Sequence, residues 1–301
     1  MKQFDSGDTP LANELADNSR RLRAANATAV LKPARTRVFT ISNQKGGVGK
    51  TTTAVNIAAA LAVKGLRVLV IDLDPQGNAS TALGVDHHSG VRGTYEVLIN
   101  NLSIAEAIVP CATVENLFCL PASIELAGAE LELFTDFADS ESRYRLKTKL
   151  ADYLNSVSDD KRPDYVFIDC PPSLGLLTIN AFVAALEVLI PIQCEYYALE
   201  GLSQLLGTVE RIKSKLNPLL NVSTILLTMY DSRTRLATQV ADEVRSHFPK
   251  AVLKAVIPRA VRVSEAPSYQ QTIMTYDKTS SGAIAYLEAA IEIANKGASN
   301  G

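Results

Sequence analysis

Residues 45–52 read Lys-Gly-Gly-Val-Gly-Lys-Thr-Thr, directly behind a β-branched run that begins at Val38. Glycines at 46, 47 and 49 leave the backbone free of Cβ clashes, so successive N–H groups can turn inward on an anion while the next helix presents its positive N-terminal end. This is the chemistry of a phosphate-holding loop. Lys50 supplies a point charge for β- and γ-phosphates, and the Thr51 hydroxyl is the group such loops place on Mg²⁺. The strict pattern GxxxxGK[ST] asks for glycine where this chain has Gln44, and an additional lysine, Lys45, follows it. A glycine-rich turn without a ligand is the alternative; the order of strand, glycines, Lys-Thr and helix argues against it.

Such groups need a scaffold. Short apolar runs alternate with helical patterns, and strands are expected near 36–42, 67–72, 116–120, 164–170, 187–193, 222–229 and 252–257. Val68–Ile71 and Val166–Ile168 are continuously apolar, as burial on both faces of a parallel sheet requires. The expected fold is therefore α/β, a doubly wound, mostly parallel sheet with helices on both faces. The helix after the loop, Thr51 to Lys64, places Ala54, Ile57, Ala58 and Leu61 on one face, with Gly65 as its C-cap. In such sheets ligands lie outside the carboxyl ends of the strands. Strand one then delivers the phosphate loop, strand two Asp72 and Asp74, and a central strand Asp169. Asp169 fits an outer-shell carboxylate for Mg²⁺ beside Thr51. Asp74 can orient or activate a water in line with a γ-phosphate, although an Asp capping a helix before Pro75 satisfies the same geometry. Asp72 reads as structural or metal-supporting.

The chain has 301 residues, 47% of them hydrophobic. We expect one main domain over residues 36–296, a flexible basic tail over 1–35 and a short C-terminal tail over 297–301. No apolar run approaches the ~20 residues of a membrane span and the N-terminus lacks a hydrophobic signal core, so a soluble cytoplasmic protein is expected. Cys111, Cys119, Cys170 and Cys194 lack CxxC spacing and read as reduced thiols, while His87 and His88 read as neighbours on a solvated loop. In the tail, Arg20, Arg21, Arg23, Lys32 and Arg35 concentrate positive charge. Thr9-Pro10 with Leu11, Leu15 and Leu22 allows a short helix through about Arg23; a disordered arm and a partner- or DNA-touching helix both remain open.

Net charge is −2, but Arg211 to Arg262 holds ten Lys/Arg against three Asp/Glu, a segment of +7 that leaves −9 for the rest. A local basic field, rather than the average, decides whether a polyanion docks. Arg233, Arg235, Arg245, Lys250, Lys254, Arg259 and Arg262 carry most of it. Without an RNA-binding aromatic motif or zinc finger, such residues would neutralise phosphates without reading bases, giving salt-dependent binding; a solvated charged face is the alternative.

The deviant loop KGGVGKTT, the strand end Asp72-Leu73-Asp74-Pro75-Gln76-Gly77-Asn78 and the segment Asp169-Cys170-Pro171-Pro172-Ser173 together resemble the ParA/Soj chromosome-partitioning ATPases, within the MinD-type class of deviant phosphate-loop proteins. The similarity runs from about Arg37 to about Ala294. It implies ATP and Mg²⁺ as ligands, with Gln44, Lys45, Gly46, Gly47, Val48, Gly49, Lys50, Thr51, Thr52 and Asp169 around the phosphates and Met229, Pro258 and Arg259 near the adenine. It implies that Lys45 reaches across a subunit interface to the partner's nucleotide, so that ATP drives homodimerisation. Pro171-Pro172-Ser173-Leu174-Gly175 resembles the segment that senses the γ-phosphate. The resemblance further implies non-specific binding of nucleoid DNA and a ParB-type partner that stimulates hydrolysis. A MinD-like membrane-surface ATPase would need a basic amphipathic C-terminal helix, whereas Ser281 to Asn295 carries Glu288 and Glu292. An iron–sulfur carrier would need paired cysteines, and a tyrosine kinase of this class a tyrosine cluster at the C-terminus. A nucleotide-gated DNA scaffold with incidental hydrolysis is the non-enzymatic alternative.

Overall fold

The computed structural model describes residues 10–136 and 139–298. Among these, eight strands form one sheet: β1 (Arg37–Ile41), β2 (Val68–Asp72), β3 (Val109–Pro110), β4 (Leu117–Leu120), β5 (Tyr165–Asp169), β6 (Glu187–Gln193), β7 (Asn221–Tyr230) and β8 (Val252–Pro258). Their order is β3-β4-β2-β5-β1-β6-β7-β8, and neighbours run parallel except β3 against β4. β3 is an addition to the strands read from the sequence; two residues carry no periodicity to read.

The continuous apolar strands are buried on both faces. Phe39, Ile41, Val68, Val70, Tyr165 and Phe167 pack toward the helices Lys50–Val63 and Ser281–Ala298. Val38, Leu69, Ile71, Val166 and Ile168 pack toward Arg145–Ser156, Leu176–Ala184, Ala198–Lys215 and Arg235–His247. Lys50–Val63 is buried from Thr53 to Ala62, well beyond the single apolar face expected, because its alanines let it lie between the sheet and the C-terminal helix. It closes as a Schellman motif: the Gly65 amide donates to the Ala62 carbonyl at 2.8 Å and the Leu66 amide to Leu61 at 3.2 Å. Gly65 takes φ +87°, the left-handed conformation this ending requires.

The register sets the level of the chemistry. Ile41 pairs with Asp169, and Asp169 with Asp72, so the ends of β1, β5 and β2 lie side by side. Strand order reverses about β1 and β5, which makes this edge the switch-point crevice of a doubly wound sheet.

The N-terminal segment takes the helix that the sequence allowed rather than a disordered arm, and the helix runs past Arg23. Pro10–Ala27 is a helix seated on the C-terminal helix. Arg21 donates to both Glu288 oxygens at 3.0 and 2.7 Å, Ala25 is buried, and Leu22 packs against the core. Lys64 Nζ donates to the Ala25 and Asn26 carbonyls at 3.0 Å each, satisfying the helix end. The sequence pattern is weak here because few apolar residues do the docking, and charged groups far along the chain complete it.

Candidate functional site

The loop between β1 and the helix Lys50–Val63 is held open by its backbone. Gly47 and Gly49 take φ +74° and +84°, conformations that cost L-residues a clash. Asn43 pins the loop's entry: its Nδ2 donates to the Pro191 carbonyl at 2.8 Å, and its Oδ1 accepts the Lys45 amide at 3.0 Å. Thr228, at the end of β7, donates its hydroxyl to the Val48 carbonyl at 2.8 Å. Neither residue was singled out from the sequence, since their partners lie across the sheet.

Gly46, Gly47, Gly49, Lys50, Thr51 and Thr52 line a cleft of about 390 Å³, which Asp74 and Met229 also border. Asn78 and Pro172, from the two segments named in the sequence, also line it, as do Thr81 and Pro267, which no local signal singles out. A second cleft of about 370 Å³, bordered by Pro258, Arg259 and Tyr286, shares Gly49, Thr52 and Met229 with the first. Its mainly apolar lining suits a flat ring beside a phosphate cradle. Met229 sits at the junction with φ +50°, an uncommon conformation for a non-glycine residue. Gln44 is half-buried beside the loop, and Val48 turns its side chain into the core, leaving only its backbone to the site.

Lys50 is nearly buried and its Nζ donates to the Lys45 carbonyl at 3.3 Å. Burial lowers its pKa, with the Asp169, Cys170 and Asp74 groups opposing. Asp169 is fully buried and both its carboxylate oxygens lack a hydrogen-bond partner. Burial and then the neighbouring Asp72 carboxylate push its pKa well above the usual range, against the pull of the adjacent Thr51 hydroxyl. A buried carboxylate without partners is costly unless a cation or a donor completes it. The arrangement fits a divalent cation held through Thr51, with Asp169 behind it.

Asp72 is different in kind. Its Oδ2 accepts the Ser80 amide at 2.8 Å and hydroxyl at 2.7 Å, and its Oδ1 accepts the Asp74 amide at 3.2 Å. It braces the loop that carries Asp74, as its structural reading expects. Burial raises its pKa to about 6. Asp74 is nearly buried at the cleft wall, where its Oδ1 accepts the Gln76 amide at 3.0 Å. His87 leans on this loop. It bonds to the Thr81 hydroxyl through Nε2 at 2.8 Å and fills the space beside Gly77, so it is half-buried rather than fully solvated.

Lys45 is about two-fifths exposed, and its Nζ pairs with Glu195 of its own chain. The basic residues do not form one patch. Arg233 and Arg235 follow β7, and Arg259 and Arg262 follow β8, all exposed at the carboxyl edge near the clefts. The Arg259 amide reaches the Tyr230 carbonyl at 3.3 Å, which ties the two groups together. Lys250 precedes β8 and lies at the opposite edge, beside Lys296 and Arg37. Lys254 lies mid-strand, where its amide is held by Glu292 at 2.8 Å.

The family model described as an AAA domain matches residues 36–222. Over 261 residues the chain is 49% identical to the sporulation initiation inhibitor protein Soj of Bacillus subtilis, covering 87% of this chain and 99% of that one. The chain belongs to the Soj/ParA family of chromosome-partitioning ATPases. Soj/ParA membership extends to the chromosome partitioning protein ParA of Myxococcus xanthus, 48% identical over 258 residues, with 85% of this chain and 87% of that protein covered. Among solved structures, cobyrinic acid a,c-diamide synthase from Mycobacterium smegmatis with bound ADP and magnesium superposes with a TM-score of 0.70, at 40% identity over 85% of this chain and 93% of that one. Among the described residues no helix is long and apolar enough to cross a membrane.

Proposed function

We propose that this Soj/ParA-family ATPase binds MgATP in the paired clefts, dimerises around the nucleotide, coats duplex DNA without sequence preference in that state, and lets go after hydrolysis. The observation that carries the reading is the meeting of Lys50, Thr51, Asp74 and the partnerless Asp169 carboxylate around a glycine loop at one strand edge. A magnesium ion held there through Thr51 and Asp169 would neutralise the charge that develops on the β- and γ-phosphates. The chain's own groups do the rest. The loop amides and Lys50 cradle phosphate oxygens, and Asp74 holds the attacking water in line. The apolar cleft by Met229, Pro258 and Arg259 takes the adenine.

Lys45 acts across the dimer. Two triphosphates facing each other repel, and one ammonium from each protomer lowers that repulsion. To do so Lys45 exchanges Glu195 for the partner's phosphates. Arg233, Arg235, Arg259 and Arg262 share the cleft's edge, so dimerisation there would join two arginine groups into one platform for the sugar–phosphate backbone. Lys250 and Lys254 contribute less to such a platform. A ParB-type protein is the partner that accelerates turnover, and the protein works in the cytoplasm on the nucleoid. The C-terminal helix is not free to lie on lipid: Pro10–Ala27 is seated on it, Glu288 pairs with Arg21 and Glu292 holds the Lys254 amide.

The test is DNA co-sedimentation with ATP, ADP or no nucleotide across a salt series, for wild type and Asp74→Ala. We expect ATP-dependent, salt-sensitive binding, and an Asp74→Ala protein that stays on DNA because turnover falls by at least about 100-fold. Unchanged hydrolysis would remove Asp74 from its role, and nucleotide-independent binding would remove the switch.

A further inference from the structure

A stripe of large apolar side chains lies uncovered along the helix Leu126–Asp136 and its entry. Ile124, Leu131 and Phe134 are 58%, 69% and 76% exposed, and Ala127 and Gly128 between them are exposed as well. This spacing is one helical face, opposite the fully buried Leu126, Ala129 and Leu133. Scattered exposed apolar residues are ordinary, but an aligned set marks a contact surface. The helix is also tied to the γ-phosphate-sensing segment. Glu130 Oε1 accepts the Leu177 amide at 3.3 Å in the first turn of Leu176–Ala184. Its carboxylate also fills the space a side chain on Gly175 would take. Finally, the stripe's own stretch carries one sign of charge: residues 124–136 hold Glu125, Glu130, Glu132 and Asp136 and no Lys or Arg.

We propose that this face docks a cationic amphipathic helix of a partner protein, and that docking alters ATP turnover through Glu130. Apolar anchors spaced along a partner helix would cover Ile124, Leu131 and Phe134, while its lysines and arginines meet the acidic rim. Charge selects this occupant over the others. Duplex DNA and anionic lipid are repelled by the same carboxylates, and a second copy presenting the same face would bring two stretches of −4 together. The effect on turnover rests on the ATPase cycle proposed above; the docking itself does not.

The probe is a fluorescently labelled amphipathic peptide of leucine and lysine, with a leucine–glutamate counterpart as control. Anisotropy against the full chain should register the lysine peptide and not the glutamate one. Leu131→Ser with Phe134→Ser should weaken it by at least about tenfold while circular dichroism and ATP affinity stay as in wild type; Ile124→Ser provides a second, independent variant. Glu130→Ala should weaken peptide binding by no more than about threefold, as the loss of one rim charge, yet abolish the peptide's effect on turnover. Equal affinity in wild type and both stripe variants would overturn the docking face. So would sedimentation in which wild type self-associates and the double variant does not, since a second copy would then cover the stripe. Peptide binding through the stripe with no change in wild-type turnover would overturn the Glu130 link alone. A wild type without any turnover would sink the ATPase cycle and leave anisotropy to judge the docking.

Discussion

The two edges of the sheet carry opposite charge. Residues 92–149, at the β3–β4 edge, contain nine acidic residues against five basic ones; residues 211–262, which hold the β7–β8 edge, contain ten basic and three acidic ones. A net charge of −2 conceals both. The contrast teaches that a nearly neutral chain can offer a polyanion one edge and a cationic partner the other, with the phosphate loop on the central strand between them. Partner choice is then a matter of where charge sits on the fold. The basic edge divides further, since Arg233, Arg235, Arg259 and Arg262 share the level of the clefts and Lys250 does not, so only those four are placed to feel what the cleft holds.

The strongest way to break the comparison is at its centre. Lys50→Ala should lower ATP affinity by roughly 100-fold or more, because it removes a charge-assisted contact to the phosphates. Titration calorimetry measures this, and DNA binding at the basic edge should lose its ATP dependence with it. Wild-type affinity would mean the loop does not hold phosphate.

Next in size is the acidic centre. The Asp72 pKa lies above its unfolded value, at about 6. Its contribution to stability is therefore fully present below about pH 4 and is lost as pH rises through about 6, to the extent of about 3 kcal/mol. In urea titrations the stability difference between wild type and Asp72→Asn should shift by that amount from pH 4 to 7, with wild type losing ground as pH rises. A pH-independent difference would show that burial of Asp72 carries no such cost.

At the basic edge, Arg233→Glu with Arg262→Glu should weaken DNA binding by at least about tenfold at 0.1 M salt and flatten the plot of log affinity against log salt by about two units. ATP-driven dimerisation, read by sedimentation, should persist. Lys250→Glu should do much less, and an equal effect would erase the division within that edge. The smallest effect belongs to the N-terminal helix. Arg21→Ala removes a half-exposed pair worth about 0.5–1 kcal/mol, enough to increase proteolysis of residues 10–27 without a measurable change in turnover.

Much of this is legible in the sequence. Seven of the eight strands match runs read from the sequence, because two-sided burial leaves an unbroken apolar signature in consecutive residues. The glycine loop is equally clear, its glycines, Lys50 and Thr51 being neighbours in the chain. Asn43, Thr228 and Pro267 are not, since nothing local distinguishes them from other polar or turn residues. The seven basic residues read as one group because sequence distance was the only measure at hand. The acidic carboxylates were found, but not that Asp72 is fully engaged by Ser80 and Asp74 while Asp169 has no partner.

By itself, then, the sequence determined whatever depends on adjacent residues: the strand runs, the loop able to wrap an anion, the small-residue helix behind it and the family. Tertiary structure decided what depends on groups meeting across the chain. It paired Lys45 with Glu195, seated the N-terminal helix on Glu288 and Lys64, and set the acidic and basic segments at opposite edges. The reason is that backbone preference and apolar periodicity act over a few residues, whereas burial and Coulomb interaction depend on distances that only strand order sets.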